Sequence, residues 1–172
     1  MAHASSAPCV VDSNVPLVAN GSSTAGPDCV ISCTHAIRDV VASGRVVVDD
    51  AWRIVGEYRH RLSPSGQPGP GDAFLKWLLT NLWNPTRCTQ VAITPMVNDA
   101  MDFKEFPAAL RTVGFDPSDR KFVAVAVAHG GSPTILQGFD SKWWGWRQAL
   151  AAAGVDVEFL CENEIAQKHA EK

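Results

Sequence analysis

Apolar residues occur along this chain in two alternating patterns. Short runs of adjacent apolar residues predict buried strands, and these runs cover positions 9–11, 45–48, 91–94, 134–137 and 155–160. Longer segments repeat apolar residues at helical spacing and predict helices at about 28–43, 50–62, 72–82, 104–113, 116–129 and 141–153. Helices that alternate with short apolar strands predict an α/β fold, a three-layer sandwich with a central, mostly parallel sheet.

Residues that begin or end helices lie at the borders of these segments. The expected helix caps are Asp28, Asp49 or Asp50, Asp72, and Asp116 followed by a proline. The run of Ser, Pro and Gly at 63–71 predicts a long loop that could act as a flap.

The length of 172 residues suits one domain with a full hydrophobic core. No internal repeat is visible in the sequence. We expect residues 1–8 to form a disordered leader, 9–165 a single domain, and 166–172 a charged C-terminal tail.

Composition narrows the class of protein. Apolar residues make up 46% of the chain and charged residues 19%, which is typical of a globular domain, and no apolar stretch is long enough to span a bilayer. The first residues lack the charged and apolar regions of a signal peptide. Five cysteines, an odd number, do not indicate a disulfide framework and favour a cytoplasmic setting.

The spacing of Cys29, Cys33 and His35 hints at a zinc site. It lacks a Cys-x-x-Cys pair and a fourth ligand, so cysteines facing the core of a helical segment are the favoured interpretation.

Four carboxylates stand where strands and helices of an open α/β sheet can bring them to one cleft. They are Asp12 after the first apolar run, Glu57 in the second predicted helix, Asp119 at the start of the 122–128 apolar run, and Asp140 after the 134–137 strand. Carboxylates brought close together repel one another unless a cation neutralises them, and Mg²⁺ or Mn²⁺ prefer such oxygen ligands. The pattern therefore predicts a metal site formed by Asp12, Glu57, Asp119 and Asp140.

Cationic residues follow each acidic segment although the formal net charge is −3. Arg120, Lys142 and Arg147 are the candidates for contact with a polyanionic substrate. The alternative is that these cations lie on ordinary solvated helix faces. Trp143, Trp144 and Trp146 could stack on bases beside Asp140, although anchoring of the last helix in the core is the favoured role.

Taken in order, the acidic segments resemble the motifs of the PIN-domain family. Those segments are Val11-Asp12-Ser13-Asn14, the helix from Asp49 to Glu57, the stretch from Asp116 through Asp119 to Ala126, and Gly138-Phe139-Asp140-Ser141-Lys142. The resemblance covers residues 10 to about 160, and Lys142 stands where many relatives carry another Asp.

This resemblance implies a PIN-like nuclease in which Asp12, Asp119 and Asp140 hold one or two Mg²⁺ or Mn²⁺ ions for hydrolysis of single-stranded RNA. Glu57 would hold a ligand water or the second ion. Ser13 or Asn14 would orient Asp12, and Asp116 would assist, although helix capping is its favoured role. The implied partners are RNA, an antitoxin protein if the chain is the toxin of a toxin–antitoxin pair, and a second copy in a homodimer.

Each carboxylate also has a simpler explanation when it is considered alone. Asp12 could form a turn, Asp119 could interact with a helix dipole, Asp140 could cap a helix, and Glu57 could pair with a neighbouring arginine. A PIN module without catalysis, which binds RNA or protein, is the alternative function. A flap-type DNA nuclease fits less well, because nothing resembles the extensions that such enzymes need.

Overall fold

The computed structural model describes residues 7–172, so residues 1–6 of the expected leader lie outside the described part, and Pro8 already belongs to the first strand. The seven strands are β1 Pro8–Val11, β2 Arg45–Asp49, β3 Cys88–Val91, β4 Pro95–Met96, β5 Asp99–Phe103, β6 Thr134–Gln137 and β7 Val157–Phe159. Five of them form the central sheet in the order β3-β2-β1-β6-β7, and every pairing in it is parallel.

Helices cover the sheet and complete the predicted α/β three-layer sandwich. The eight α-helices within residues 7–172 are α1 Asn14–Ala19, α2 Pro27–Ser43, α3 Arg53–Arg61, α4 Pro70–Asn81, α5 Ala108–Arg111, α6 Arg120–His129, α7 Ser141–Ala152 and α8 Glu162–Ala170. Helices α1, α2 and α4 pack on one another, while α6 packs across β1, β2, β3 and β6. Among the described residues, no helix combines the length and the apolar character needed to cross a membrane.

The central strands are apolar on both faces because helices cover both. Val10 and Val11 of β1 and Val46, Val47 and Val48 of β2 are fully buried. Side chains alternate between the faces of a strand, so a continuous apolar run fits a strand that is covered on both sides.

The strand order places a topological switch at β1. The chain runs from β1 to β2 and β3 on one side, and later elements add β6 and β7 on the other. In open parallel sheets, the crevice beyond the carboxyl ends of the strands at such a point is where ligands bind. Asp12 follows β1 directly, and Asp140 follows β6 after a two-residue loop.

Several predicted boundaries are wrong. The strand expected at 91–94 lies at Cys88–Val91, and the helix expected at 104–113 is only Ala108–Arg111. A small antiparallel hairpin, β4 with β5, fills the space between them. Residues 166–170, the first part of the expected charged tail, lie in α8, and Ile165 of that helix is fully buried.

Two of the helix caps also differ from expectation. Helix α2 begins at Pro27 with Gly26 as its cap, and the carboxylate of Glu164 accepts from the backbone N–H groups of Gly26 and Cys29. Asp72 lies inside the first turn of α4, where its carboxylate accepts from the Gly69 N–H. Proline suits the first position of a helix, and the cap of α2 therefore lies at Gly26, two residues before the predicted Asp28.

A disulfide joins Cys29 of α2 to Cys161, the residue before α8. The cysteine count did not indicate a disulfide framework, and the described residues contain this one bond, with Cys9, Cys33 and Cys88 free. The two bonded residues are separated by 132 positions, so no local pattern indicates that they meet.

Candidate active site

Asp12 is the most buried of the four predicted carboxylates, with 4% of its surface exposed. Its backbone N–H donates to the Leu136 carbonyl of β6, and one carboxylate oxygen accepts from the Asn14 N–H at 2.8 Å. Burial raises the pKa of Asp12 well above its ordinary value, and repulsion from Asp119, Glu57 and Asp140 adds to this effect. The side chain therefore lies within the electrostatic reach of all three other predicted ligands.

Glu57 reaches this neighbourhood because α3 is fastened to the end of β1. The hydroxyl of Tyr58, the next residue, is buried and donates a hydrogen bond to the Val11 carbonyl, immediately before Asp12. Asp49 at the end of β2 fixes the start of the same helix by accepting from the Arg53 and Ile54 N–H groups. The N-cap position of α3 is occupied by Trp52, and Asp49, one of the two residues predicted as the cap, supplies these hydrogen bonds from three residues upstream.

Asp119 ends the short 3-10 turn Pro117–Asp119 that leads into α6. Burial is the largest cause that raises its pKa to about 6; the Lys142 charge lowers it, and Asp140 and Asp116 raise it. One oxygen of Asp119 and one of Glu57 are buried without a hydrogen-bond partner. Each of these oxygens faces an ammonium group instead: Glu57 lies 3.4 Å from Lys121, and Asp119 lies 3.7 Å from Lys142.

Asp140 is held by the loop that follows β6. The Phe139 N–H in that loop donates to the side-chain oxygen of Asn14, and the Phe139 carbonyl accepts from the Lys168 ammonium at 3.1 Å. Asp140 also caps α7, where its carboxylate accepts from the Lys142 N–H at 3.0 Å. Asp140 therefore both caps α7 and belongs to the acidic cluster.

The ammonium of Lys142 lies among three carboxylates. Its Nζ is 2.6 Å from an oxygen of Asp116, 3.7 Å from Asp119 and 3.9 Å from Asp140. Hydrogen bonding to Lys142 is the main cause that lowers the pKa of Asp116 to about 2. Asp116 also accepts from the Ser118 N–H and caps the turn, as the sequence favoured.

Of the two residues expected to orient Asp12, the one that contacts its carboxylate is Asn14. The Asn14 N–H contacts the carboxylate, while its side chain fixes the loop that carries Asp140. Ser13 is buried, and its carbonyl accepts from the Leu17 N–H at the start of α1.

Two of the three cations proposed for substrate contact are engaged elsewhere. The Arg120 guanidinium is mostly buried, lies 3.3 Å from Asp102 and covers the Phe106 ring. Arg147 donates to the Trp144 carbonyl and stacks over the indole of that residue. The side chains of Arg120 and Arg147 point toward these partners, which the apolar spacing of their helices does not reveal. Of the three predicted cations, Lys142 is the one that reaches the acidic cluster.

Lys121 is the functional candidate that the sequence interpretation left out of the site. Its ammonium is 3.4 Å from Glu57 and also donates to the Ser118 carbonyl. The sequence signal that could have identified Lys121 was its position directly after Asp119 and Arg120.

The three tryptophans near Asp140 anchor α7. Trp143 is fully buried, Trp146 stacks on Phe115, and Trp144 contacts Phe159. This confirms the favoured interpretation.

The sulfur atoms of Cys29, Cys33 and Cys161 form a second cluster. Within residues 7–172, this is the one set of three His, Cys, Asp or Glu ligand atoms that all lie within 4.8 Å of one another. Two of the sulfurs are joined in the disulfide, and Glu164, beside them, caps α2. His35 lies exposed on α2, so the trio is a buried core feature as the helical spacing favoured.

In comparisons with known proteins, no family model matches the chain, and no curated protein or solved structure matches it either.

Proposed function

We propose that this chain is a PIN-like, metal-dependent endoribonuclease that hydrolyses phosphodiester bonds of single-stranded RNA. The observation that carries the proposal is the convergence of charge on Asp12. The charges of Asp119, Glu57 and Asp140, which come from separate segments of the chain, all disfavour ionisation of its buried carboxyl group. The cluster also lies beyond the carboxyl ends of β1 and β6, beside the topological switch, where open sheets bind ligands.

The donor set suits a hard divalent cation such as Mg²⁺ or Mn²⁺. Carboxylate oxygens are the ligands of these ions. The buried oxygens of Glu57 and Asp119 that make no hydrogen bond face the ammonium groups of Lys121 at 3.4 Å and Lys142 at 3.7 Å, where an ion would replace or share these contacts. No three of the acidic oxygens lie within the 4.8 Å that groups the cysteine sulfurs. This wider spacing fits Mg²⁺, which keeps several of its waters and takes only one or two carboxylates directly.

When bound, such an ion lowers the pKa of a water molecule and stabilises charge on the phosphate that is attacked. The residues of the chain hold and orient the groups around it. Asn14 fixes Asp12 through its backbone, α3 presents Glu57, and the turn before α6 presents Asp119. Lys142, whose side chain is 42% exposed, can turn from the carboxylates to a substrate phosphate.

RNA as the substrate rests on the family resemblance of the four acidic segments. An antitoxin partner and a homodimer stay predictions, and no described contact bears on them. The cytoplasmic location also stays a prediction, and the Cys29–Cys161 disulfide is a bond that persists mainly in oxidising compartments.

The test is cleavage of an end-labelled single-stranded RNA by the purified chain with Mn²⁺, with and without EDTA. We expect metal-dependent cleavage that Asp12→Asn abolishes, because the substitution keeps the shape of the side chain and removes its charge. The matched control is Asp39→Asn, which makes the same change at an exposed position of α2. Cleavage that survives Asp12→Asn, or that EDTA leaves unchanged, contradicts the proposal.

A module that binds RNA or protein without catalysis is the second candidate, and Lys142 favours it. An ammonium among Asp116, Asp119 and Asp140 neutralises part of their repulsion, so the cluster has a counter-charge of its own. In that case Mn²⁺ would not raise the melting temperature. A metal site predicts a stabilisation of about 2.7 kcal/mol at a hundredfold excess of ion over its dissociation constant.

A further inference from the structure

Two tryptophan side chains lie together on the surface near the acidic cluster. Trp83 is 78% exposed and Trp52 37%, and the other four tryptophans of the chain are buried or partly buried. The two ring centroids are 6.2 Å apart, with the ring planes at 52°. Building on the proposed function, we propose that Trp52 and Trp83 form a stacking platform for an unpaired base of the bound RNA strand.

One glutamine holds both aromatic residues in place. The Trp52 indole N–H donates to the side-chain oxygen of Gln90 at 3.1 Å, and the Gln90 amide donates to the Leu82 carbonyl at 3.0 Å. Leu82 directly precedes Trp83, so Gln90 of β3 bonds both the Trp52 indole and the backbone beside Trp83. An aromatic surface that is fixed before the ligand arrives loses little conformational entropy on binding.

The backbone of Trp52 adds an independent observation. Its φ of 60° and ψ of 32° lie in the left-handed region, which is unfavourable for a bulky side chain. Asp49 maintains this conformation: its carbonyl accepts from the Trp52 N–H, and its buried carboxylate caps the following two residues. Backbone strain of this kind concentrates at functional sites, where the surrounding structure enforces it.

Trp52 lies at the end of the sheet that carries the acidic cluster, and Trp83 contacts it from the segment between α4 and β3. Trp52 follows the end of β2, and its partner Gln90 lies near the end of β3. Strands β1, β2 and β3 are adjacent, so Asp12 lies about two strand spacings, or ~10 Å, to the side. A single strand that crosses the carboxylates therefore passes the platform within a few nucleotides.

The surface of α3 favours a nucleic acid over an apolar protein as the occupant. The helix begins beside Trp52, carries Glu57 in its middle, and ends in the exposed basic residues Arg59, His60 and Arg61, of which Arg61 lies 4.0 Å from Glu57. A side chain added at Gly56, between the platform and Glu57, would meet no atom within 4 Å, so the path is open. Aromatic rings stack on the bases of a single strand, and cationic side chains beside them contact its phosphates.

The experiment measures binding of a fluorescent oligouridine of about 12 nucleotides by anisotropy, in an Asp12→Asn background with Mn²⁺. Trp83→Leu keeps an apolar side chain and removes the aromatic face, Trp83→Phe keeps an aromatic face, and Val97→Ala alters another exposed apolar residue. A second probe of equal length carries abasic sites throughout. Trp83→Leu should weaken binding of the oligouridine by about 5- to 100-fold and leave binding of the abasic probe unchanged.

Trp83→Phe should retain most of the affinity, and Val97→Ala should bind like the parent. Equal binding of oligouridine by the parent and Trp83→Leu overturns the platform, as does an equal loss for both probes or no RNA binding at all. A dimer in sedimentation that only Trp83→Leu dissociates assigns the pair to contact between copies and also overturns it. Cleavage is measured separately, on the chain with its native Asp12 and Mn²⁺. Base-dependent binding together with no cleavage by that chain supports the platform and refutes the nuclease. Cleavage by that chain together with unchanged binding in Trp83→Leu does the reverse.

Discussion

At the level of single residues, Lys142 decides how the acidic cluster behaves without a bound ion. Its ammonium occupies space between Asp116, Asp119 and Asp140 that a divalent ion would share. Removing this charge by Lys142→Gln should raise the affinity for Mn²⁺ roughly fivefold, equivalent to about 1 kcal/mol, because the side chain is partly exposed and its charge is screened. Titration calorimetry on both proteins measures the difference.

Lys76→Gln is the matched control, because Lys76 is exposed on α4 and the substitution changes the net charge equally. An unchanged or weaker affinity in Lys142→Gln would show that the ammonium does not compete with the ion. If neither protein binds Mn²⁺ and Lys142→Gln is less stable, the lysine is a permanent counter-ion and the second candidate function gains support.

The raised pKa of Asp119 makes stability without metal depend on pH. Its pKa is about 6 in the folded protein, mainly because of burial, against an ordinary value of 3.8. A group with a raised folded pKa stabilises fully below its unfolded pKa, and this contribution disappears as the pH rises through the folded value. In EDTA, the free energy of unfolding should therefore fall by about 1 kcal/mol between about pH 5 and pH 7.

Urea unfolding at several pH values measures this trend, and Asp119→Asn should flatten it because the amide does not titrate. A wild-type slope that persists unchanged in Asp119→Asn would assign the dependence to other groups, of which Asp12 is the first to examine because burial also raises its pKa.

At the level of elements, local signals predicted the parts of the fold that local chemistry decides. Strand β6 has the predicted limits, and α7 begins at the predicted Ser141, because Asp140 caps it with its own side chain. Strand β3 was misplaced because its position depends on pairing with β2, where Val46 faces Cys88 and Asp49 faces Val91. The apolar run that continues to Ile93 concealed that register.

The same distinction applies to the candidate site. The rule that strand ends meet at one edge of a parallel sheet was sufficient to group Asp12 with Asp140. It could not predict the direction of Arg120, which depends on Asp102 in the unpredicted hairpin. It also gave no signal for Trp52 and Trp83, whose contact is made through Gln90 on a third element.

At the level of the whole molecule, α8 connects the disulfide to the acidic site. Cys161 precedes α8 and is bonded to Cys29 of α2, while Lys168 near the end of α8 donates to the Phe139 carbonyl, one residue before Asp140. The loop is also tightly packed: a Cβ at Gly138 would lie 3.3 Å from the Cys33 sulfur. The position of Asp140 thus depends on a helix that the disulfide holds against α2.

Reduction of the disulfide should therefore destabilise the protein and release α8 first. The bond closes a segment of 132 residues, and loss of such a bond typically costs about 2–5 kcal/mol through the greater freedom of the unfolded chain. Urea unfolding with and without dithiothreitol measures the loss, and hydrogen exchange should rise first in Glu162–Ala170. The doubly substituted Cys29→Ala, Cys161→Ala protein is the control, since dithiothreitol should leave its stability unchanged. If the reductant changes neither protein, or if exchange in α8 rises no more than in α6, the disulfide does not hold α8 in place, and the position of Asp140 depends on the hydrogen bonds with Asn14, Lys142 and Lys168 without it.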